Sequence, residues 1–189
     1  LHEAAPQAGG RARRLPSHAQ RPHLDNGQHI LIGAYRDTLA LMRTVGVDLD
    51  TAFTRIPLDL RLPNGHGLHL PDWPAPWNVL AGIVRCKGWS WRDKSQLLLA
   101  CARWQRQNFS CPARWTVKDL CNKSGLTPRI RAELIDPLCL SALNTPVDAA
   151  CARTFLRVLH DALLMSSGSS DLLLPRQDLS ALFVVPCVQ

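Results

Sequence analysis

No apolar run in this sequence reaches the roughly 18 residues that a membrane-spanning helix requires, and no leader of basic start and short apolar stretch precedes the first motif. Seven cysteines stand at 86, 101, 111, 121, 139, 151 and 187, with no C-x-x-C pair among them and no His at finger spacing. Those absences argue against a zinc site, so no metal is expected. The odd, scattered set also argues against a secreted disulfide framework and for reduced, mostly buried thiols in the cytoplasm. No internal repeat is present. Acids are scarce, with 15 Asp and Glu against 22 Lys and Arg, which leaves a formal charge of +7. The expected setting is the cytoplasm, either in solution or peripheral on the inner face of the membrane.

What is present is the composition of a chain able to bury a core: 189 residues, 46% hydrophobic and 20% charged. A basic balance invites a nucleic-acid reading, because clustered cations neutralise phosphates, but their distribution points elsewhere. Between Trp73 and Arg106 lie Arg85, Lys87, Arg92, Lys94, Arg103 and Arg106 with one acid, Asp93. Trp73, Trp77, Trp89, Trp91 and Trp104 fall in the same stretch. Indole interleaved with cations suits a peripheral contact with an anionic lipid surface. The plainer reading is a pair of helices whose Trp are core and whose cations are solvated. No nucleic-acid partner is expected.

Punctuation residues organise the chain. Asp25-Asn26-Gly27-Gln28-His29 forms a turn ahead of the apolar Ile30-Leu31-Ile32. From Gly33 to Val45 the positions Tyr35, Leu39, Met42 and Val45 recur at helical spacing, and Gly46 closes the run. Leu58, Leu60 and Leu62 alternate with polar residues, Asn64-Gly65 offers left-handed turn geometry, and Leu68 and Leu70 alternate again, which predicts a hairpin over about 57–70. Ser90 with Asp93 and Thr116 with Asp119 have capping-box spacing. Thr127-Pro128 and Thr145-Pro146 place Pro where a helix tolerates it, predicting two more starts. The last predicted helix carries Val147, Cys151, Phe155, Val158, Leu159 and Ala162 on one stripe. Ser166, Ser167, Gly168, Ser169 and Ser170 predict a flexible loop before Leu172-Leu173-Leu174.

The chemistry is concentrated near the start. In a dinucleotide-binding βαβ unit the second strand ends in an acid that accepts hydrogen bonds from ribose hydroxyls, and Glu3 fits that position. Five residues on, Gly9-Gly10-Arg11 would let backbone approach a cofactor, with Arg11 supplying charge beside a diphosphate. A Gly-Gly turn with a solvated Arg is the ordinary alternative. His29, standing alone, reads equally as a packed or surface imidazole.

Together these segments resemble the hydroxysqualene dehydroxylase family, also described as squalene-associated FAD-dependent desaturases, within the flavin amine oxidase and phytoene desaturase superfamily. The resemblance rests on Gly9-Gly10-Arg11-Ala12-Arg13 and on Leu24 to His29 running through Gly33-Ala34-Tyr35-Arg36. It continues through Asp136 to Pro146, Ser170 to Arg176, and Asp178 to Phe183. It implies a bacterial FAD oxidoreductase of hopanoid and isoprenoid biosynthesis that replaces the hydroxyl of hydroxysqualene by hydride, giving squalene. It implies FAD contacts from Glu3, Gly9, Gly10 and Arg11 at the adenosine and diphosphate end, and from Gly27, Gln28 and His29 toward the flavin. His29 is then the candidate proton donor, and no other catalytic residue can be assigned. The helices from Trp77 to Leu164 would line a polyisoprenoid pocket.

The expected fold class is α/β, expressed in this chain as α+β. The expected division is a partial Rossmann-like FAD-binding segment at 1–32, a mainly helical substrate domain at 33–183 and a tail at 184–189. The sequence opens on Leu1 rather than Met, and the first strand with its Gly-x-Gly-x-x-Gly turn does not precede Glu3, so the expectation is an internal fragment. A carotenoid or phytoene desaturase, or an amine-oxidase-like flavoenzyme, is the rival reading. A non-catalytic basic helical module on a membrane surface is the rival from another class.

Overall fold

The structure, a computed structural model, describes residues 4–12, 14–15, 25, 30–61, 65 and 67–188. In chain order the elements begin with β1 (Leu31–Ile32), α1 (Arg36–Thr44), α2 (Leu49–Ala52), β2 (Phe53–Ile56), β3 (Asp59–Arg61) and β4 (Gly67–His69). There follow α3 (Trp77–Arg85), α4 (Trp91–Arg106), α5 (Val117–Ser124), α6 (Pro128–Ile130), α7 (Asp136–Leu143), α8 (Ala152–Leu163), β5 (Leu172–Pro175) and α9 (Val185–Val188). The chain divides into two compact units, one of residues 1–56 with 171–189 and one of residues 57–170.

In the first unit β5 is the centre of a three-stranded antiparallel sheet, with Leu173 opposite Leu31 of β1 and opposite Arg55 of β2. One face of α1 buries Leu39 and Met42 against Ala52, Phe53, Leu173 and Leu182. The helix ends as its sequence prescribes: Gly46, at φ +85°, donates to Arg43, and Val47 N–H reaches back to the Met42 carbonyl. That pairing satisfies carbonyls the helix leaves open, and a left-handed residue is needed to make it. The division differs from the one expected at residue 32. Strand β5, 140 residues downstream of β1 by their register partners Leu172 and Ile32, brings 171–188 back into the first unit, and the pairing of β2 with β5 holds 33–56 there too. The expected tail is helical, running from a π-wound stretch at Ser180–Val184 into α9, with Val184 buried. The mixture of helix and small sheets agrees with an α+β chain. The sheet is antiparallel throughout, so the parallel strand order of a Rossmann unit is not displayed among the described residues.

In the second unit the predicted hairpin forms from β3 and β4, with Leu60 opposite Leu68. Both capping boxes are made: Ser90 and Asp93 start α4, and Thr116 and Asp119 start α5, each by reciprocal side-chain bonds. Thr127 caps α6 with Pro128 in its first turn. Asp93 does more than close its own box. One carboxylate oxygen accepts from Ser90 N–H at 2.9 Å and from its hydroxyl at 2.6 Å, while the other accepts from the Thr127 hydroxyl at 2.6 Å. A single buried carboxylate thus ties the starts of two helices together.

Helices α6 and α7 are one helical run joined by a π-wound stretch at Arg131–Ile135. Its cause is legible: Pro137 has no N–H for the Glu133 carbonyl and its ring would crowd that carbonyl, so the preceding turn widens to place Asp136 N–H on Arg131. The same arrangement precedes Pro186, where Val185 N–H reaches Ser180.

Thr145-Pro146 does not start a helix. Residues 146–150 form a turn, and α8 begins at Ala152, because the backbone there bonds instead to the start of α5: Lys118 N–H to Val147, Val117 N–H to Ala150 and Ala152 N–H to Trp115. Cys151 is therefore exposed as the N-cap and leaves the expected stripe, while Ala152, Phe155 and Leu156 are the fully buried residues of α8. They pack with Trp104, Val117, Ile130 and Ile135. The Ser-rich segment, expected as a flexible loop, leaves Ser166 and Ser167 exposed. Ser169 and Ser170 are buried, and the Ser166 and Ser169 hydroxyls lie 2.7 Å apart.

Candidate functional site

Gly9, Gly10 and Arg11 form a turn closed by Ala12 N–H on the Gly9 carbonyl at 2.9 Å. Both glycines need positive φ, +107° and +55°, a region costly for side-chain-bearing residues. Their surroundings separate them. A Cβ on Gly9 would lie 2.6 Å from a Val184 methyl and 2.9 Å from the Ala12 carbonyl, whereas a Cβ on Gly10 would meet nothing within 4 Å. Gly9 is thus required by the protein's own packing. Gly10 is the one whose backbone stands open for close approach by a ligand.

The turn is seated on the Asp178–Val184 segment. Ser180 Oγ accepts from Arg14 N–H at 3.0 Å and from Gln7 Nε2 at 3.3 Å, and Arg14 pairs with Asp178 at 3.5 Å. Asp25 bridges to Arg14 through backbone, and its carboxylate accepts from Leu179 N–H at 3.0 Å. The Gly-Gly-Arg turn and Asp25, which opens the second motif, therefore converge on one helix entry. Of the residues singled out in the sequence, Glu3, Gly27, Gln28 and His29 lie outside the described residues, so Gly9, Gly10 and Arg11 alone are placed. Sequence reasoning missed Ser180 and Val184 as supports. The available signal was Asp178 three residues before Ala181, whose N–H it caps at 3.0 Å.

An open glycine backbone in left-handed conformation beside an arginine suits a diphosphate, because exposed backbone N–H groups and a cation are what such a group requires. The cradle fits the adenosine-diphosphate end of a dinucleotide in chemical character.

The second unit contains an apolar cleft of about 190 Å³ between α3, α4 and α8, with Val79, Ile83, Leu98, Trp104, Leu159 and Leu163 on its walls. Next to it is a polar groove of about 680 Å³ bordered by Asn108, Ser110, Arg153, Arg157 and His160. Asp161 bonds Arg157 Nε at 2.7 Å and His160 Nδ1 at 2.9 Å. Burial raises the Asp161 carboxyl, but those two hydrogen bonds outweigh it and hold the group below the usual carboxylate range. At the start of the Asp136 motif and five residues before it, Asp136 Oδ1 and Arg131 Nε are buried without a hydrogen-bond partner among the described residues.

The tryptophans divide sharply. Trp89 and Trp104 are core, donating to Glu133 at 2.8 Å and Ser124 at 2.9 Å. Trp73, Trp77 and Trp91 are 45%, 62% and 75% exposed. Among the thiols, burial pushes Cys101 and Cys121 up to about 11. The thiol of exposed Cys151 is lowered, first by hydrogen bonds from Thr154.

Residues 1–170 match the family described as flavin containing amine oxidoreductase. A curated relative, hydroxysqualene dehydroxylase of Zymomonas mobilis subsp. mobilis, is 24% identical over 194 residues, an alignment covering 100% of this chain and 44% of the relative. The chain thus spans less than half the length of that relative.

Proposed function

The chain belongs to the flavin-containing amine oxidoreductase family, and from that membership we propose that it serves an FAD-dependent oxidoreductase converting hydroxysqualene to squalene. The observation that carries the reading is the Gly9-Gly10-Arg11 turn seated on the same helix entry as Asp25, in a chain whose full length aligns with a hydroxysqualene dehydroxylase. In this reading the open backbone of Gly10 and the charge of Arg11 hold the diphosphate of FAD, and Val184 holds Gly9 in position behind them. Glu3 accepts from the ribose, while Gly27, Gln28 and His29 contact the flavin end. Bound there, the flavin supplies hydride. His29 is the proposed donor of the proton with which the substrate hydroxyl departs as water. The helices of residues 77–164 contribute apolar surface that excludes water from a reactive allylic cation.

The test is anaerobic incubation of the full-length protein with reduced flavin and hydroxysqualene. Squalene should accumulate in proportion to flavin oxidised. Formation of new double bonds in a polyene substrate, with no squalene, would instead support the desaturase alternative.

A second reading concerns the membrane, and the division of the tryptophans favours it. Trp77, Leu80 and Val84 project from one exposed face of α3, flanked by Trp73 and Trp91. The Arg85 guanidinium lies 4.8 Å from the Trp73 ring centroid and the Lys94 ammonium 5.1 Å from that of Trp91. Apolar rings with cations beside them match an anionic headgroup layer. The Trp77→Ala, Trp91→Ala double variant should sediment with phosphatidylglycerol-containing vesicles about tenfold less than the parent, since each indole carries substantial apolar area. Equal sedimentation of the two, or no preference over phosphatidylcholine vesicles, would count against a lipid contact.

A further inference from the structure

The apolar cleft and the polar groove of the second unit share Gln105, Phe109 and Leu164, so they form one continuous depression with an oily end and a charged end. The charged end is built by one face of α8. Arg153, Arg157, His160 and Leu164 follow at intervals of four, three and four residues, which stacks them along a single side of the helix. Arg157 gives its Nε to Asp161 at 2.7 Å, and its Nη groups have no hydrogen bond among the described residues. Among the described residues the Arg153 side chain makes a single long hydrogen bond, 3.5 Å to the Cys111 carbonyl.

The junction is strained. Asn108 and Phe109 are consecutive non-glycine residues at φ +48° and +52°, a conformation that costs free energy at each and collects at ligand-binding positions. Its effect is to turn the Phe109 ring onto His160, 5.0 Å between centroids, at the border of the two compartments. Asn108 closes α4 as its left-handed cap, with Asn108 N–H on the Gln105 carbonyl at 3.0 Å and Phe109 N–H on the Trp104 carbonyl at 2.8 Å; the second positive φ, at Phe109, is more than that closure needs.

We propose that this depression binds an amphiphile with an anionic head, the head held by Arg153 and Arg157 and the chain end lodged in the cleft. The cleft volume of about 190 Å³ equals roughly six water-sized volumes, room for the end of a hydrocarbon chain and not for a whole polyisoprenoid. The inference goes beyond the dehydroxylase reading, whose substrate is an uncharged alcohol, and does not depend on it. Two sources share the required chemistry, a polyisoprenyl diphosphate and a fatty acid.

Calorimetric titration of the full chain with farnesyl diphosphate, dodecanoate, farnesol and inorganic diphosphate tests it, with quenching of Trp104 as a second signal. At least one of the two anionic amphiphiles should bind about tenfold or more tightly than either farnesol or inorganic diphosphate, as expected of charge-assisted hydrogen bonds added to apolar burial. Which of the two is tighter identifies the source. Arg153→Gln with Arg157→Gln should abolish that preference while leaving farnesol binding unchanged, and both positions are exposed enough to accept Gln without loss of fold. Farnesol or inorganic diphosphate binding as tightly as the amphiphiles overturns the proposal. So does an unchanged preference in the double variant, or no binding of any probe at millimolar concentration.

Discussion

Valine in place of Gly9 should strip the protein of flavin and loosen the seat of residues 4–15, at a cost of about 2–6 kcal/mol. Two effects add. The backbone at φ +107° excludes a β-branched residue, with a strain of about 1–3 kcal/mol. The new Cβ would stand 2.6 Å from Val184 and 2.9 Å from the Ala12 carbonyl, and overpacking of this kind costs about 1–3 kcal/mol. Against a total stability of about 5–15 kcal/mol this is a large fraction. Hydrogen exchange should quicken in residues 4–15 and 178–185, and the purified protein should carry little or no flavin. Gly10→Ala provides the contrast. Nothing lies within 4 Å of its Cβ position, so it loses only the conformational preference of glycine, about 1–2 kcal/mol. If Gly10 touches the diphosphate, the alanine variant will lose flavin by more than its stability loss explains. Retention of flavin at the parent level by both variants would remove the cradle from the proposed FAD site.

Asp93→Ala should cost the second unit about 3 kcal/mol. It removes a capping box, worth about 0.5–2 kcal/mol, together with a charge-assisted bond to Thr127 of about 1.5–3 kcal/mol, and it leaves the hydroxyl of Thr127 without its acceptor. Asp93→Asn should cost less, because the amide oxygen keeps one of the two acceptor sites. The pH dependence distinguishes the charge from the hydrogen bonds. Hydroxyl donation by Ser90 and then Thr127 holds the Asp93 carboxyl below the usual range, more than burial raises it. A carboxyl depressed in the folded state contributes stability that is fully present above its unfolded value, about 4, and is lost as pH falls through the lower folded value. Asp119, depressed chiefly by the Thr116 N–H, and Asp161 act in the same direction. Urea unfolding followed by tryptophan fluorescence reads this unit alone, since all six Trp lie within 57–170. The parent should lose stability below about pH 4, and the Asn variant should lose less over the same window. Parallel pH profiles for the two would show that Asp93 is not the depressed group.

The legible parts of the fold are those set by neighbours in sequence. Ser90 with Asp93, Thr116 with Asp119, and Thr127 before Pro128 each satisfy helix N–H groups within three residues, so their outcome does not await the rest of the chain. Gly46 and the β3–β4 hairpin belong to the same class. Thr145-Pro146 carries an equally good local signal and fails, because the strand-like contacts of residues 147–152 with residues 115–118 claim the backbone first. The candidate site divides in the same way. Positive φ at Gly9 and Gly10 could be anticipated from the Gly pair, but which of the two faces protein and which stands open depends on Val184, 175 residues away by number.

By itself, the sequence determined the starts of α4, α5 and α6, the hairpin, the lack of a long apolar span and, through a few short motifs, membership of a flavin-dependent family. The tertiary structure alone decided that residues 171–188 return to the opening unit, that Trp89 and Trp104 are core while Trp77 and Trp91 face outward, and that Gly9 is held by Val184. The physical reason is the range of the forces involved. Caps and turns are closed by hydrogen bonds a few residues apart, whereas burial and steric contact are settled between residues distant in the chain, where composition names the groups available and only packing chooses the partners.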